Sequence, residues 1–96
     1  MLNELFQIIN QRKIDPRAGS YTASLMEAGE DEILKKIGEE AMEVLLAAKG
    51  QGDSRLVEEI ADLYYHTLVL LAFRDLSLVE VEAELRHRHR IREGEA

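Results

Sequence analysis

The sequence predicts an all-α chain of four to five helices, a helical bundle built on an antiparallel central hairpin and completed by oligomerisation. Three observations lead there. Apolar residues recur at helical spacing through most of the 96 residues. A single proline and few β-branched runs leave nothing that reads as a strand. Gly50-Gln51-Gly52-Asp53 separates two long helical stretches, and a break of that kind folds one back on the other.

Taken in order, residues 2–14 form a first amphipathic helix, with Leu2, Leu5, Phe6 and Ile9 at i, i+3, i+4 and i+7. Asp15-Pro16-Arg17-Ala18-Gly19 ends it, because proline steers the preceding residue away from helical angles and glycine permits a turn. Ser20-Tyr21-Thr22 leads into a short helix near Ala23–Glu27, which Gly29 closes. Ser20 or Thr22 is expected to cap that helix. The alternative is that their hydroxyls, with the free N–H groups of a helix start, receive phosphate.

A long helix follows from about Asp31 to Lys49, with Leu34, Ile37, Ala41, Val44, Leu45 and Ala48 as its apolar side. Gly38 inside it costs about 1 kcal/mol against alanine, which makes it a candidate for close approach by a helix or ligand. The third long stretch spans roughly Ser54–Arg74, with Asp53 or Ser54 as N-cap. Its second half, Leu63 to Phe73, is apolar nearly all round and must be covered on every side. In so small a chain a second subunit is the expected cover. Ser77-x-x-Glu80 is a capping box that opens the last helix, with Leu78, Val81 and Leu85 expected to point inward.

Composition narrows the function. Apolar residues make up 46% and charged residues 32%, a globular balance, and the length suits one domain over residues 1–96 that is marginal as a monomer. A net charge of −7 argues against a nucleic-acid backbone as partner. The longest apolar run is too short to span a bilayer, and the start, Met1-Leu2-Asn3-Glu4, does not read as a signal peptide. No membrane partner is therefore expected. With no cysteine, thiolate metal sites and disulfides are excluded, which fits a reducing compartment.

The chemistry is concentrated in the hairpin. Glu40-x-x-Glu43 lies on one arm and Glu59-x-x-Asp62 on the other. Positions equidistant from Gln51 face each other across such a hairpin. Glu43 then meets Glu59, and Glu40 meets Asp62. At ~100° per residue Glu39, Glu43 and Glu40 share one arc, while Glu59, Asp62 and His66 share a narrow stripe. Glu58 lies off that stripe and is expected to be solvated. Carboxylates this close do not all stay ionised without a counter-charge, and a hard divalent cation with oxygen ligands supplies one. Lys36 and His66 pair at the next level, so a cationic or neutral group adjoins the acidic ones. The rival reading is a pair of solvated acidic faces on a non-catalytic helical interaction module.

The tail, Arg86-His87-Arg88-His89-Arg90-Ile91-Arg92, invites a metal or nucleic-acid reading. The plainer one is favoured. Cations in a final turn complement the helix dipole, and two histidines two residues apart point to different sides of a helix.

At this point the residues carry a resemblance. Lys36-Ile37-Gly38-Glu39-Glu40-Ala41-x-Glu43, Ala47-Ala48-Lys49 and Glu59-x-Ala61-Asp62-Leu63-x-Tyr65-His66-x-Leu68-Val69-Leu70-Leu71 resemble the phosphoribosyl-ATP pyrophosphatases of histidine biosynthesis, within the all-α MazG-like pyrophosphohydrolases. Ser20-Tyr21-Thr22 fits the same family, and the likeness covers about residues 2–90. Tyr64 and Thr67 depart from its more aliphatic pattern. The resemblance implies hydrolysis of phosphoribosyl-ATP to phosphoribosyl-AMP and pyrophosphate, Mg²⁺ as cofactor, a cytoplasmic setting and a homodimer or higher homo-oligomer. It implies Glu40, Glu43, Glu59 and Asp62 as metal ligands, with Glu39 as a further ligand or the group that orients water. Ser20, Tyr21, Thr22, Lys36, Lys49 and His66 are the candidates for binding substrate. A related house-cleaning enzyme acting on noncanonical nucleotides shares the acidic motif and is the catalytic rival.

Overall fold

The computed structural model describes residues 1–94, and among them the chain forms five α-helices. α1 (Leu2–Ile14) and α2 (Tyr21–Ala28) precede the two long helices α3 (Glu30–Gly50) and α4 (Asp53–Phe73), and α5 (Leu78–Arg92) closes the order. α3 and α4 make the most extensive contact, through a turn of only Gln51 and Gly52, so the central hairpin is antiparallel. Among the described residues no helix is long and apolar enough to cross a membrane.

The turn chemistry explains the boundaries. Ser20 caps α2, its Oγ accepting from the Ala23 N–H at 3.1 Å, which is the capping role expected for it. α2 therefore begins two residues earlier than the apolar pattern indicates. Gly52, at φ 89°, is the N-cap of α4, and Asp53 is already helical. The expected Asp or Ser cap is absent because the tight turn needs a left-handed residue at that position. Ser77 and Glu80 form both hydrogen bonds of the capping box. At the far end of α4, Asp75 adopts φ 58°, and Lys13 from α1 reaches both its carboxylate and the Ala72 carbonyl, at 2.9 Å for the latter. The same carbonyl accepts the Asp75 N–H at 3.2 Å, so the lysine adds a second donor at this helix end.

The core sits at one end of the hairpin. Ile9, Leu25, Ile33, Leu68, Val69 and Ala72 are buried together there, where α1 and α2 lie across the start of α3 and the end of α4. The inward stripe of α3 is Ile33, Ile37, Glu40, Val44 and Ala47, one position out of phase with part of the expected stripe. Ile37 and Val44 belong to both sets. Leu34 and Leu45 instead remain 44% and 61% exposed. Met42, Leu46 and Val57 are also exposed, so the half of the hairpin near its turn has apolar surface that this chain leaves open. A Cβ at Gly38 would meet nothing within 4 Å, so no helix of this chain uses that glycine for close approach.

α5 has no buried residue. Val81 and Leu85, expected inside, are 39% and 61% exposed. With Leu2, Tyr64, Thr67 and Leu71 they line an open groove of about 700 Å³. The apolar stretch of α4 is thus covered by the core at His66, Leu68, Val69 and Ala72 and left open at Tyr64 and Thr67.

Candidate functional site

Midway along the hairpin, Glu40 on α3 meets Glu59 and Asp62 on α4. One carboxylate oxygen from each lies within 4.8 Å of the other two. Helical geometry makes this possible: Glu59 and Asp62 are one turn apart on α4 and so present the same face to Glu40. Glu59 is only 3% exposed, and Arg55, one turn earlier on α4, holds it at 2.9 Å. Arg55 also touches the exposed Glu58 at 3.4 Å. Burial, and then the like charge of Asp62, keep the Glu40 carboxyl above the usual carboxylate range, against a smaller opposing pull from His66.

Such a group suits a hard cation. Mg²⁺ takes oxygens at about 2.0–2.1 Å, so ligands on opposite sides of it stand ~4.2 Å apart. The observed spacing needs only a sub-ångström closure or one bridging water to match. The part of the Glu40 rise that comes from the neighbouring carboxylates is the cost of assembling the group without a cation, and a bound divalent ion would offset it. The cluster can therefore hold a divalent metal.

The other acidic candidates are arranged around this trio. Glu43 is half-buried on the same side of α3 but falls outside the close group. Glu39 is exposed and stands 3.9 Å from Lys36, which is half-buried one turn before Glu40. Lys49 is exposed near the end of α3, about 13 Å along the helix from Glu40 at 1.5 Å per residue. It is not part of the same cluster within one chain.

His66 and the α2 start form the far wall. His66 is 5% exposed, and its Nδ1–H donates to the Asp62 carbonyl at 2.7 Å. Its Nε2 is hydrogen-bonded to the Tyr21 hydroxyl at 2.9 Å. Thr22, itself buried, shares a hydrogen bond with the Tyr65 hydroxyl. Two cross-element bonds thus tie the first turn of α2 to α4, directly beside Asp62. Burial first, then Tyr65, Glu40, Glu32 and Asp62, raise the Tyr21 pKa, so its phenol stays a proton donor.

Sequence reasoning missed Arg55 and Tyr65 as parts of this site. The signal for Arg55 was available in its i, i+3 and i, i+4 spacing to Glu58 and Glu59. Nothing local marks Tyr65, whose partner is 43 residues away. In the tail, Arg86 and Arg88 pair with Glu82 and Glu84 one turn back, and His87 and His89 are exposed.

The family model described as phosphoribosyl-ATP pyrophosphohydrolase matches residues 2–89. The phosphoribosyl-ATP pyrophosphatase of Pelotomaculum thermopropionicum is 55% identical over 85 residues, 88% of this chain and 87% of that protein. That of Listeria welshimeri is 53% identical over 88 residues, 92% of this chain and 84% of that protein. The histidine biosynthesis bifunctional protein HisIE of Gloeobacter violaceus is 51% identical over 89 residues, 93% of this chain, which spans only 40% of that relative's length. With a match over almost its full extent, and the carboxylates of its two acidic motifs converging between α3 and α4, the chain belongs to the phosphoribosyl-ATP pyrophosphohydrolase family.

Proposed function

We propose that this chain hydrolyses phosphoribosyl-ATP to phosphoribosyl-AMP and pyrophosphate, the second step of histidine biosynthesis, with Mg²⁺ as cofactor. Family membership over residues 2–89 carries the reaction, and the Glu40, Glu59 and Asp62 cluster supports the metal.

Glu40, Glu59 and Asp62, with Glu43 beside them, would hold Mg²⁺. When bound, the ion supplies charge neutralisation for the triphosphate and the leaving pyrophosphate. The chain's own groups do the rest. Glu39 is exposed at the rim, where it can accept a hydrogen bond from water and orient it. Lys36 adds a cation one turn from Glu40, suited to a phosphate oxygen. Arg55 holds Glu59 in one position, so that ligand need not be ordered when the metal binds. His66 fixes the Tyr21 hydroxyl and braces the turn that bears Asp62. Lys49 would serve the site from a neighbouring copy. The exposed apolar residues Met42, Leu45 and Leu46 and the α5 groove support a homodimer or larger homo-oligomer. A cytoplasmic setting accords with this pathway step.

The test is product analysis with Mg²⁺. Pyrophosphate release from phosphoribosyl-ATP should greatly exceed that from ATP or dUTP. Equal rates on all three would move the chain to the house-cleaning class. Release of inorganic phosphate would exclude the reaction, and no turnover of any substrate would favour a non-catalytic helical module.

A further inference from the structure

In the Ser20-Tyr21-Thr22 stretch two side chains are already committed. Ser20 caps α2, and Thr22 is buried against the Tyr65 hydroxyl. Both hydroxyls thus have structural partners within the chain. Tyr21 differs from both. Its hydroxyl is held by His66, which is anchored in turn on the Asp62 carbonyl. Its ring is backed by Tyr65, with centroids 6.1 Å apart and planes 25° apart, yet 49% of the residue is exposed. A tyrosine pinned at its tip and backed on one side is a rigid aromatic surface, so a ligand that stacks on it orders little. The face of a neutral aromatic ring attracts a cationic planar ligand.

Resting on the reaction proposed above, we infer that Tyr21 is the specificity-determining residue for the nucleotide base, a stacking platform for an adenine ring made cationic by substitution at ring N1. In phosphoribosyl-ATP the additional ribose is attached at N1, and alkylation there lets the ring carry positive charge near neutral pH. The adenine of ATP is neutral. Stacking alone serves both rings alike, whereas the cation–π attraction acts only on the substituted one. The phosphates lie toward the carboxylate cluster and the base lies over Tyr21, which separates recognition of the chain from recognition of the ring.

The experiment compares the full-length wild type with Tyr21→Phe, Tyr21→Trp and Tyr21→Leu. Calorimetric titration with 1-methyl-AMP, AMP and pyrophosphate in Mg²⁺ reads binding without turnover. The wild type should bind 1-methyl-AMP about tenfold more tightly than AMP, the scale of one cation–π contact. Phe and Trp should keep that preference, because they keep the face. Leu should abolish it and leave pyrophosphate binding unchanged. In the hydrolysis assay, Leu should raise KM for phosphoribosyl-ATP by more than it lowers kcat. The inference is overturned if Phe falls as far as Leu, since the hydroxyl would then be the working group. It is equally overturned if wild type binds the two nucleotides alike, or if Leu weakens pyrophosphate as much as nucleotide. Should the Leu variant fail to fold, Tyr21→Met takes its place as the variant without a ring, and a preference retained in it decides against the platform. Absence of phosphoribosyl-ATP hydrolysis by wild type would sink the proposed reaction, while the calorimetry still decides the platform.

Discussion

Replacing Glu40 by glutamine removes one charge from the carboxylate cluster and keeps nearly the same shape, so it separates electrostatics from packing. With oxygens no more than 4.8 Å apart, a pair of like charges repels by about 3.5 kcal/mol or more at an effective dielectric of ~20. Arg55 offsets part of this at Glu59, and solvent around the exposed Asp62 screens more. A net strain on the order of 1 kcal/mol remains near neutral pH. The metal-free Glu40→Gln protein should therefore melt above metal-free wild type, by roughly 4–8 °C for a domain of this size. Mg²⁺ at a hundredfold excess over Kd should stabilise wild type by about 2.7 kcal/mol and the variant by much less, so the order of the two midpoints reverses or closes. Hydrolysis should fall to a small remainder. Glu58→Gln is the control, since Glu58 is exposed and its bond to Arg55 is long at 3.4 Å. It should stay within about 0.5 kcal/mol of wild type. Differential scanning at matched ionic strength reads all of this. A metal-free Glu40→Gln protein that melts lower, or a full Mg²⁺ shift in it, would show that the three carboxylates do not share an ion.

Two further outcomes follow from the same coordinates. Because the folded state raises the Glu40 pKa above its ordinary 4.5, the folded form binds more protons than the unfolded one just above that pH. This contribution to metal-free stability should be present below pH 4.5 and be lost as pH rises through the raised value, while Mg²⁺ affinity climbs over the same range. A melting series with and without Mg²⁺ checks both slopes, and a Glu40→Gln variant with an unchanged metal-free slope would remove Glu40 as the cause. Leu45→Glu and Leu85→Glu, each at a residue 61% exposed, should leave the helical content intact. At least one should shift sedimentation toward the monomer. Val69 is unsuitable for that test, being fully buried in the core, where glutamate would unfold the chain itself. Wild type that already sediments as a stable monomer would refute the oligomer.

How far the sequence could be read depended on whether a signal was local. The helices, the Gly-Gln-Gly turn and the Ser77–Glu80 box are set by neighbouring residues, and their places followed directly. The pairing of Glu40 with Asp62 also followed, because an antiparallel hairpin with a known turn fixes which levels meet. Rotation about the helix axis was harder. α3 is apolar on two sides, with Ile33, Ile37, Val44 and Ala47 on one and Leu34, Met42, Leu45 and Leu46 on the other. Periodicity alone does not say which set a partner helix covers. The expected stripe mixed the two, and the half-buried Glu40 belongs to the inner set that it partly missed. That error bears on the assembly. A 21-residue helix in a 96-residue chain has one core to face, so a second apolar side has no use within the chain and weakens solubility if left bare. Isolated exposed leucines need no explanation. Several at successive turns on one face are better explained by a neighbouring subunit that covers them.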